Sequence, residues 1–228
     1  MELSAFENLR QLPLLQGLSL NELSQLVQHI KLDFAQHEEG TVLINQGERC
    51  DKLVYILSGT VVSDYRPDDI KMIYSEQYDE LPMLIEPYHL YGMTQRYERT
   101  YTFTTEGSTF TINKRLFMDY ISNYMIVKAN MLNLICNRLQ NTNRLMRQPI
   151  GNTLEMKLLQ FVQEFATTPQ GKKSVRILYD ELANHLQETR LNVSFAVRRL
   201  EKLGVCCHYR GCLEIEDMEQ FANAIRKG

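Results

Sequence analysis

From residue 19 to 30 the apolar side chains fall on one helical face, at Leu20, Leu23, Leu26, Val27 and Ile30. Ser19 stands just ahead of them with Glu22 three residues on, the spacing of a capping box, so the pattern predicts a helix from Ser19 to about Ile30. The pattern then changes. Short runs rich in β-branched and aromatic residues follow: Thr41-Val42-Leu43-Ile44, Leu53-Val54-Tyr55-Ile56-Leu57, Thr60-Val61-Val62 and Tyr101-Thr102-Phe103-Thr104. Gly40, Gly47, Gly59, Pro67, Pro82, Pro87, Gly92 and Gly107 punctuate them. Strands between turn residues at this spacing predict an antiparallel β-sandwich or barrel.

From Lys114 to Gln148 there is neither glycine nor proline, and one stripe runs Ile121, Met125, Lys128, Leu132, Ile135, Leu139, Thr142, Met146. Its alternating steps of four and three are those of a heptad seam. A core helix packed within one subunit is the simpler reading. A seam this narrow and sustained favours a parallel homodimer, with Lys128 and Thr142 as its polar members. Pro149 ends the stretch and Ile150-Gly151 reads as a hinge. Beyond it the chain predicts a helix from about Thr153 to Ala166, a short strand Val175-Arg176-Ile177, two close helices Tyr179–Leu186 and Thr189–Leu203, a strand pair Val205–Tyr209 and Leu213–Ile215 turning at Arg210-Gly211, and a helical tail from Met218 to Ile225.

Composition narrows the classes without choosing among them. The chain has 228 residues, 44% hydrophobic and 23% charged, with a formal charge of −3. These values exclude collagen-like, disordered and disulfide-scaffold chains, and also an indiscriminate polycation. No apolar run approaches membrane-spanning length, and Met1–Glu7 has no basic and apolar leader pattern, so the expected location is cytoplasmic with no membrane partner. Cys50, Cys136, Cys206, Cys207 and Cys212 are odd in number and irregular in spacing, and read as reduced thiols.

The charge is unevenly spread. Residues 1–149 hold 14 basic and 18 acidic side chains, whereas Lys172–Arg210 holds eight basic and four acidic. That excess coincides with two short helices, a tight turn and a β-hairpin, the pattern of a winged helix-turn-helix. Leu182, Ala183 and Leu186 of the first helix, and Val193, Val197 and Leu200 of the second, take the inward positions. Outward or near-outward stand Arg190, Asn192, Ser194, Phe195, Arg198, Arg199 and Lys202, with Thr189 placed to cap the helix and donate to a phosphate. Residues opening the second helix are those a major groove can receive. Arg190 suits a bidentate pair with guanine and Asn192 suits adenine, while Arg198, Arg199 and Lys202 are better placed for phosphates. Double-stranded DNA is the expected partner.

The order of these parts resembles the cyclic-AMP receptor protein / fumarate-nitrate regulator family of bacterial transcription factors, over nearly the whole chain from Leu12 to about Phe221. The stretches that carry the resemblance are Leu14-Leu15-Gln16-Gly17-Leu18-Ser19, Gly40–Gly59 with Gln46-Gly47-Glu48, Arg138-Leu139-Gln140, and Glu181-Leu182-Ala183 through Arg199-Leu200-Glu201-Lys202-Leu203-Gly204. The resemblance implies an α+β chain: a double-stranded β-helix sandwich of the cupin-like, cyclic-nucleotide-binding type over 1–113, a dimerisation helix over 114–148, and a winged helix-turn-helix over 149–228. It implies a non-enzymatic homodimer on a two-fold symmetric operator, with RNA polymerase as a further partner. A degenerate regulator that dimerises and acts through protein partners is the alternative, suggested by Gln187, Leu191 and Phe195. An enzyme on a double-stranded β-helix lacks metal-ligand histidines in the strand region.

Departures from the family matter. Its second helix often opens Ser-Arg-Glu-Thr-Val with another arginine following; this chain reads Thr189-Arg190-Leu191-Asn192-Val193, with Phe195 at the later arginine's place. The operator should therefore differ, with apolar reading of a thymine methyl by Phe195. Gln187 stands at a turn position that is usually glycine, at a cost of about 1 kcal/mol if held at positive φ. In the nucleotide cassette the family's Gly-Glu is Gly92-Met93, so the ribose contact is absent, and the interval from Gly92 to Arg99-Thr100 is short. Cyclic AMP is therefore not the expected effector. Tyr91, Gly92, Met93, Arg99, Thr100 and Thr142 remain candidate pocket residues. An anion at Arg99, an apolar ligand near Tyr91, Met93, Tyr97 and Tyr101, or no ligand all stay open, and ordinary packing also accounts for the tyrosines. No metal or cofactor is expected. Cys50 is the only sandwich cysteine, Cys206, Cys207, His208 and Cys212 lack a Cys-x-x-Cys pair, and no haem motif surrounds His29, His37 or His89.

Overall fold

Ser19 opens the first helix as its spacing predicts. Its amide and hydroxyl donate to Glu22 Oε2 at 2.8 and 2.6 Å, and the Glu22 amide returns to Ser19 Oγ at 3.3 Å, capping α1 (Leu20–His29). Donation by Ser19 holds the Glu22 carboxyl below its ordinary range. The computed structural model describes residues 9–10, 12–29, 33–121, 123–146, 153–209 and 211–227. Among these, no helix is long and apolar enough to cross a membrane.

The strands are β1 (Asp33–His37), β2 (Val42–Ile44), β3 (Lys52–Ser58), β4 (Val61–Tyr65), β5 (Met72–Tyr78), β6 (Met83–Leu84), β7 (Thr100–Phe103), β8 (Gly107–Asn113), β9 (Lys173–Ile177), β10 (Cys207–Tyr209) and β11 (Cys212–Ile215). The later helices are α2 (Lys114–Ile121), α3 (Met125–Met146), α4 (Leu154–Glu164), α5 (Tyr179–Leu186), α6 (Arg190–Lys202) and α7 (Met218–Lys227). The chain is thus a mixed α/β fold on antiparallel sheets.

By packing it divides into two units that interleave in sequence. The first takes the described residues up to Thr60, then Asp79–Glu98 and Thr102–Thr142; the second takes Val61–Tyr78, Arg99–Tyr101 and the described residues from Asn143 onward. The division expected at 113 and 148 counted 61–78 with the sandwich, whereas these residues pack with the C-terminal part.

In the first unit the sheet order is β1-β8-β3-β6. Leu53, Val54, Tyr55 and Ile56 of β3 are all buried, which explains their continuous apolar run: the strand is covered on both faces. Phe34, Phe110 and Tyr55 form a ring ladder across β1, β8 and β3 at 5.1 and 5.8 Å. Gly107 has no room for a side chain, because a Cβ there would lie 2.3 Å from the Phe103 ring.

The single helix expected over 114–148 is two. The Asn123 amide returns to Tyr120 O at 3.2 Å, and the Val127 and Lys128 amides start afresh on Tyr124 O. Asparagine offers the backbone a turn in place of a helix, and the restart follows it. Ile121 therefore ends α2 while Met125 opens α3, so these two seam positions are not consecutive turns of one helix. The α3 face at Val127 and Met131 is buried in its own unit, and Asn130 Nδ2 donates to Leu14 O and Gln16 O at 3.1 and 2.8 Å.

In the second unit the sheet runs β10-β11-β9-β5-β4. β9 pairs with β11 on one side, Val175 opposite Leu213, and with β5 on the other, Tyr74 opposite Val175. Helices α4 to α7 bury Leu158, Val162, Leu182, Val193, Val197, Leu200 and Phe221 in one core with Tyr74, Val175 and Ile177 of the sheet.

Candidate nucleic-acid interface

Helix α5 ends at Gln187, which holds φ 54 and ψ 47 and passes its amide to Ala183 O and Asn184 O. The left-handed residue reverses the chain as glycine would, at the strain the sequence implied. Thr189 then caps α6, its hydroxyl accepting the Asn192 amide at 3.2 Å. The inward residues are those the spacing predicts: Leu182, Ala183 and Leu186 on α5, and Val193, Val197 and Leu200 on α6, are all buried, joined by Ala196.

The outward set is not uniform. Arg190, Arg198 and Lys202 are exposed, as are the apolar side chains of Leu191 and Phe195, while Ser194 is half-buried. Arg190 reaches Asp180 Oδ2 at 3.7 Å on α5, with both side chains open to solvent. Asn192 Nδ2 donates to Glu188 Oε2 at 3.4 Å, and Glu188 pairs with Lys157 at 2.8 Å. The hydrogen bonds from Lys157 and Asn192 keep the Glu188 carboxyl below its ordinary range. Arg199 has a partner within its own unit. Its Nε donates to Glu155 Oε1 at 2.6 Å and its Nη2 binds the same oxygen, so the guanidinium ties α6 to α4.

The hairpin after α6 pairs Cys207 with Glu214, His208 with Leu213 and Tyr209 with Cys212; Arg210 lies outside the described residues. The His208 amide donates to Glu201 Oε1 at 2.6 Å, and its ring stacks on Tyr179 at 4.4 Å. Cys206 and Cys212 are buried and Cys207 is exposed, all as free thiols. Burial pushes the Cys206 thiol up to about 12. Among the described residues no group of three or more His, Cys, Asp or Glu could hold a metal ion.

Of the six candidate pocket residues, Tyr91, Gly92, Met93 and Thr142 belong to the first unit and Arg99 and Thr100 to the second. Arg99 is buried: Nη1 lies 3.3 Å from Glu76 Oε2, Nη2 donates to Phe165 O, and the guanidinium stands over the Tyr65 and Tyr74 rings at 5.4 and 5.5 Å. Its charge is therefore matched by Glu76 within the second unit. Gly92 and Met93 are exposed, and Gly92 O accepts from Gln95 Nε2 at 3.1 Å. Tyr91 instead donates to Met118 Sδ at 3.2 Å and borders a cavity of about 450 Å³ with Phe117, Met131, Leu132 and Ile135. Thr100 is half-buried, and Thr142 donates to Arg138 O at 3.0 Å within α3. Tyr97 and Tyr101 are buried, Tyr97 donating to Lys52 O at 3.0 Å and Tyr101 lying 6.3 Å from the Tyr78 ring.

Glu76 is the residue that sequence reasoning missed. Its carboxylate accepts from Lys173 at 2.8 Å, Tyr78 OH at 2.9 Å, the Thr167 amide at 3.0 Å and the Thr167 hydroxyl, besides Arg99. Burial alone would raise its pKa; Arg99 and Lys173 outweigh that and hold it below the ordinary range. Burial pulls the Lys173 ammonium down further than Glu76 restores it. The signal lay in alternation: Met72, Tyr74, Glu76 and Tyr78 share the buried face of β5, so a carboxylate occupies an inward slot and needs a partner.

On the seam, Leu132 and Leu139 are 60% and 57% exposed, Met125 is exposed, and Ile135 is half-buried. The side chains of Ile121 and Met146 fall outside the described set.

No family model matches this sequence, and no curated protein matches it. Solved structures do. A putative crp/fnr-family transcriptional regulator from Eubacterium rectale matches with TM-score 0.54 at 18% identity, over 94% of this chain and 98% of its own. The chain has the fold of that crp/fnr regulator. Catabolite activator protein from Thermus thermophilus matches at TM-score 0.47 and 16% identity over 94% of this chain and 99% of its own, and DNR from Pseudomonas aeruginosa at 0.45 and 16% over 95% and 96%.

Proposed function

We propose that the chain is a homodimeric, sequence-specific DNA-binding transcriptional regulator of the crp/fnr type, controlled by a signal other than cyclic AMP. It does no catalysis and works in the cytoplasm. In this reading the N-terminal strands form a cyclic-nucleotide-binding-type sensor, α3 the dimer helix, and α5, α6 and the β10–β11 hairpin a winged helix-turn-helix. One observation carries it. The second of two helices joined by a left-handed turn buries Val193, Val197 and Leu200 while Arg190, Arg198, Lys202 and Phe195 stay exposed, and a hairpin follows. A major groove receives a helix of this kind. Exposed Leu132 and Leu139, a heptad apart on α3, support a second copy as the cover. The Glu76–Arg99 pair supports the absence of a nucleotide phosphate at Arg99.

The test is binding of the chain to short genomic fragments across a salt series. A steep loss of affinity with salt, with preference for two-fold symmetric fragments, is expected. The alternative of a regulator acting through protein partners draws on Asp180 and Glu188 beside the start of α6, and on Arg199 held by Glu155. Binding that is absent or insensitive to salt would decide for it.

A further inference from the structure

In the first unit a cavity of about 450 Å³ opens between α2 and α3, with Tyr91 at its border. Its inner wall is buried: Phe117, Val127 and Met131 are at most 5% exposed. Met118, Leu132 and Ile135 complete the apolar lining, and Lys128 is its one charged member. Apolar walls, few polar groups and a volume of roughly 300–1,000 Å³ are the marks of a small-molecule site. Gly92, Met93, Arg99 and Thr100 are not in the lining, so this is a different place from the nucleotide cassette.

Two polar groups stand on this apolar surface. Tyr91 donates its hydroxyl to Met118 Sδ at 3.2 Å. A thioether is a weak acceptor, so a stronger one readily takes the hydroxyl over. Lys128 is exposed, on a helix that holds Arg138 and Arg144 as well and neither Asp nor Glu. Three and four positions away it has Tyr124, Met125, Met131 and Leu132, so α3 sets no carboxylate beside it. Among the described residues no carboxylate reaches it from another element either. An ammonium on an apolar wall without an anion favours a ligand that brings one. Lys128 and Ile135 lie two turns apart, about 10 Å along α3, and Met118 and Met131 are walls that adapt to an unbranched chain. Leu132 and Ile135 also belong to the seam, but Tyr91, Phe117 and Met118 come from outside α3 and line only the cavity.

We propose that this cavity binds an amphipathic carboxylate, an unbranched apolar chain with one acidic head. The chain lies against Phe117 and Met131, and the head meets Lys128 and the Tyr91 hydroxyl. A link to assembly follows, and that link rests on the homodimer reading above. Seam positions of a parallel pair face their counterparts, so the two Lys128 ammoniums repel across it. A carboxylate on each removes the repulsion, and binding thereby tightens the dimer.

Isothermal titration calorimetry of the full-length chain with dodecanoate, kept below its micellar range, tests the site. One molecule per chain is expected. Lys128→Gln should weaken binding about three- to tenfold and Lys128→Arg should keep it, while 1-dodecanol should bind the parent and Lys128→Gln alike. Met118→Trp fills the cavity from a partly exposed position and should abolish binding of both probes. Should Met118→Trp fail to fold, the Lys128 variants decide alone. Absence of saturable binding, or uptake of several molecules per chain that no variant alters, overturns the site. Dodecanoate binding indifferent to Lys128→Gln overturns the placement of the head. Sedimentation velocity then reads assembly: dodecanoate is expected to tighten the parent dimer about fivefold or more and to leave the Lys128→Gln dimer unchanged. A parent dimer of unmoved affinity overturns the link while the site stands. A chain that stays monomeric yet binds dodecanoate through Lys128 fails the homodimer reading and leaves the site intact.

Discussion

Glu76 and Lys173 are direct cross-strand partners, 97 positions apart in the chain, and neither side chain has any solvent exposure. The pair is not closed on itself, because Arg99 approaches the same carboxylate at 3.3 Å. The two ends therefore respond differently to removal. Glu76→Gln leaves two buried cations without their anion and is expected to cost about 3–5 kcal/mol. Lys173→Met leaves Glu76 with Arg99, Tyr78 and Thr167 and is expected to cost clearly less. Urea unfolding of the two variants against the parent chain measures the order; the reverse order would contradict the role given to Arg99.

His89 provides a pH-dependent contribution in the first unit. Burial works to lower its pKa, but Glu98 at 3.3 Å, Thr94 O and Glu86 at 3.8 Å together raise it above the ordinary value of about 6.5. A group with a raised folded pKa contributes stability that is complete below its unfolded pKa and is lost as pH rises through the folded one. His89→Gln is therefore expected to lower Tm most at pH 5.5 and least at pH 8.5. A Tm difference independent of pH would remove the ion pair from the account.

The five cysteines should separate by reactivity. Cys50, Cys206 and Cys212 are buried, with burial raising each thiol, whereas Cys136 and Cys207 are exposed. Thiolate is the reacting species, so iodoacetamide at pH 8 is expected to label Cys136 and Cys207 first. Peptide mass spectrometry over time reads this directly, and early labelling of Cys206 would contradict its burial.

Gln187 pays a local strain that glycine would not. At φ 54 the side chain crowds the backbone, so Gln187→Gly is expected to raise stability by about 0.5 kcal/mol, the relief of strain being partly offset by the looser unfolded chain. Thermal unfolding checks the sign, and DNA affinity should change little because the residue is outside the outward face of α6.

The seam makes a fifth, independent demand. Leu132→Asp/Leu139→Asp places two charges on exposed apolar positions of α3 and, on the proposed homodimer, is expected to leave a folded monomer. Sedimentation velocity distinguishes the two, and an unaffected mass would assign the seam to another role.

Local periodicity made most elements legible. The inward positions of α5 and α6, the Ser19–Glu22 box and the Thr189 cap all follow from spacing within a few residues, where sequence distance and spatial distance coincide. The break at Asn123 was hidden because the heptad steps run on through it; a stripe counts positions but does not test whether the backbone hydrogen bonds continue. The pairing of β5 with β9 was hidden for a different reason. Nothing near Met72 specifies a partner a hundred residues away, and an inward Glu76 announces only that some cation must meet it. The role of Arg99 stayed open on the same ground: an arginine fork suits a carboxylate as well as a phosphate, and the fold sets it against Glu76.

The interleaving of the two units bears on how such a chain can change over generations. A domain with clean ends can be cut out and spliced onto another. Here a fragment beginning after residue 148 would lack β4, β5 and Arg99, leave Lys173 without its anion, and bare an edge of β9. The C-terminal half is therefore no portable cassette, and its inheritance is tied to that of the hairpin encoded far upstream.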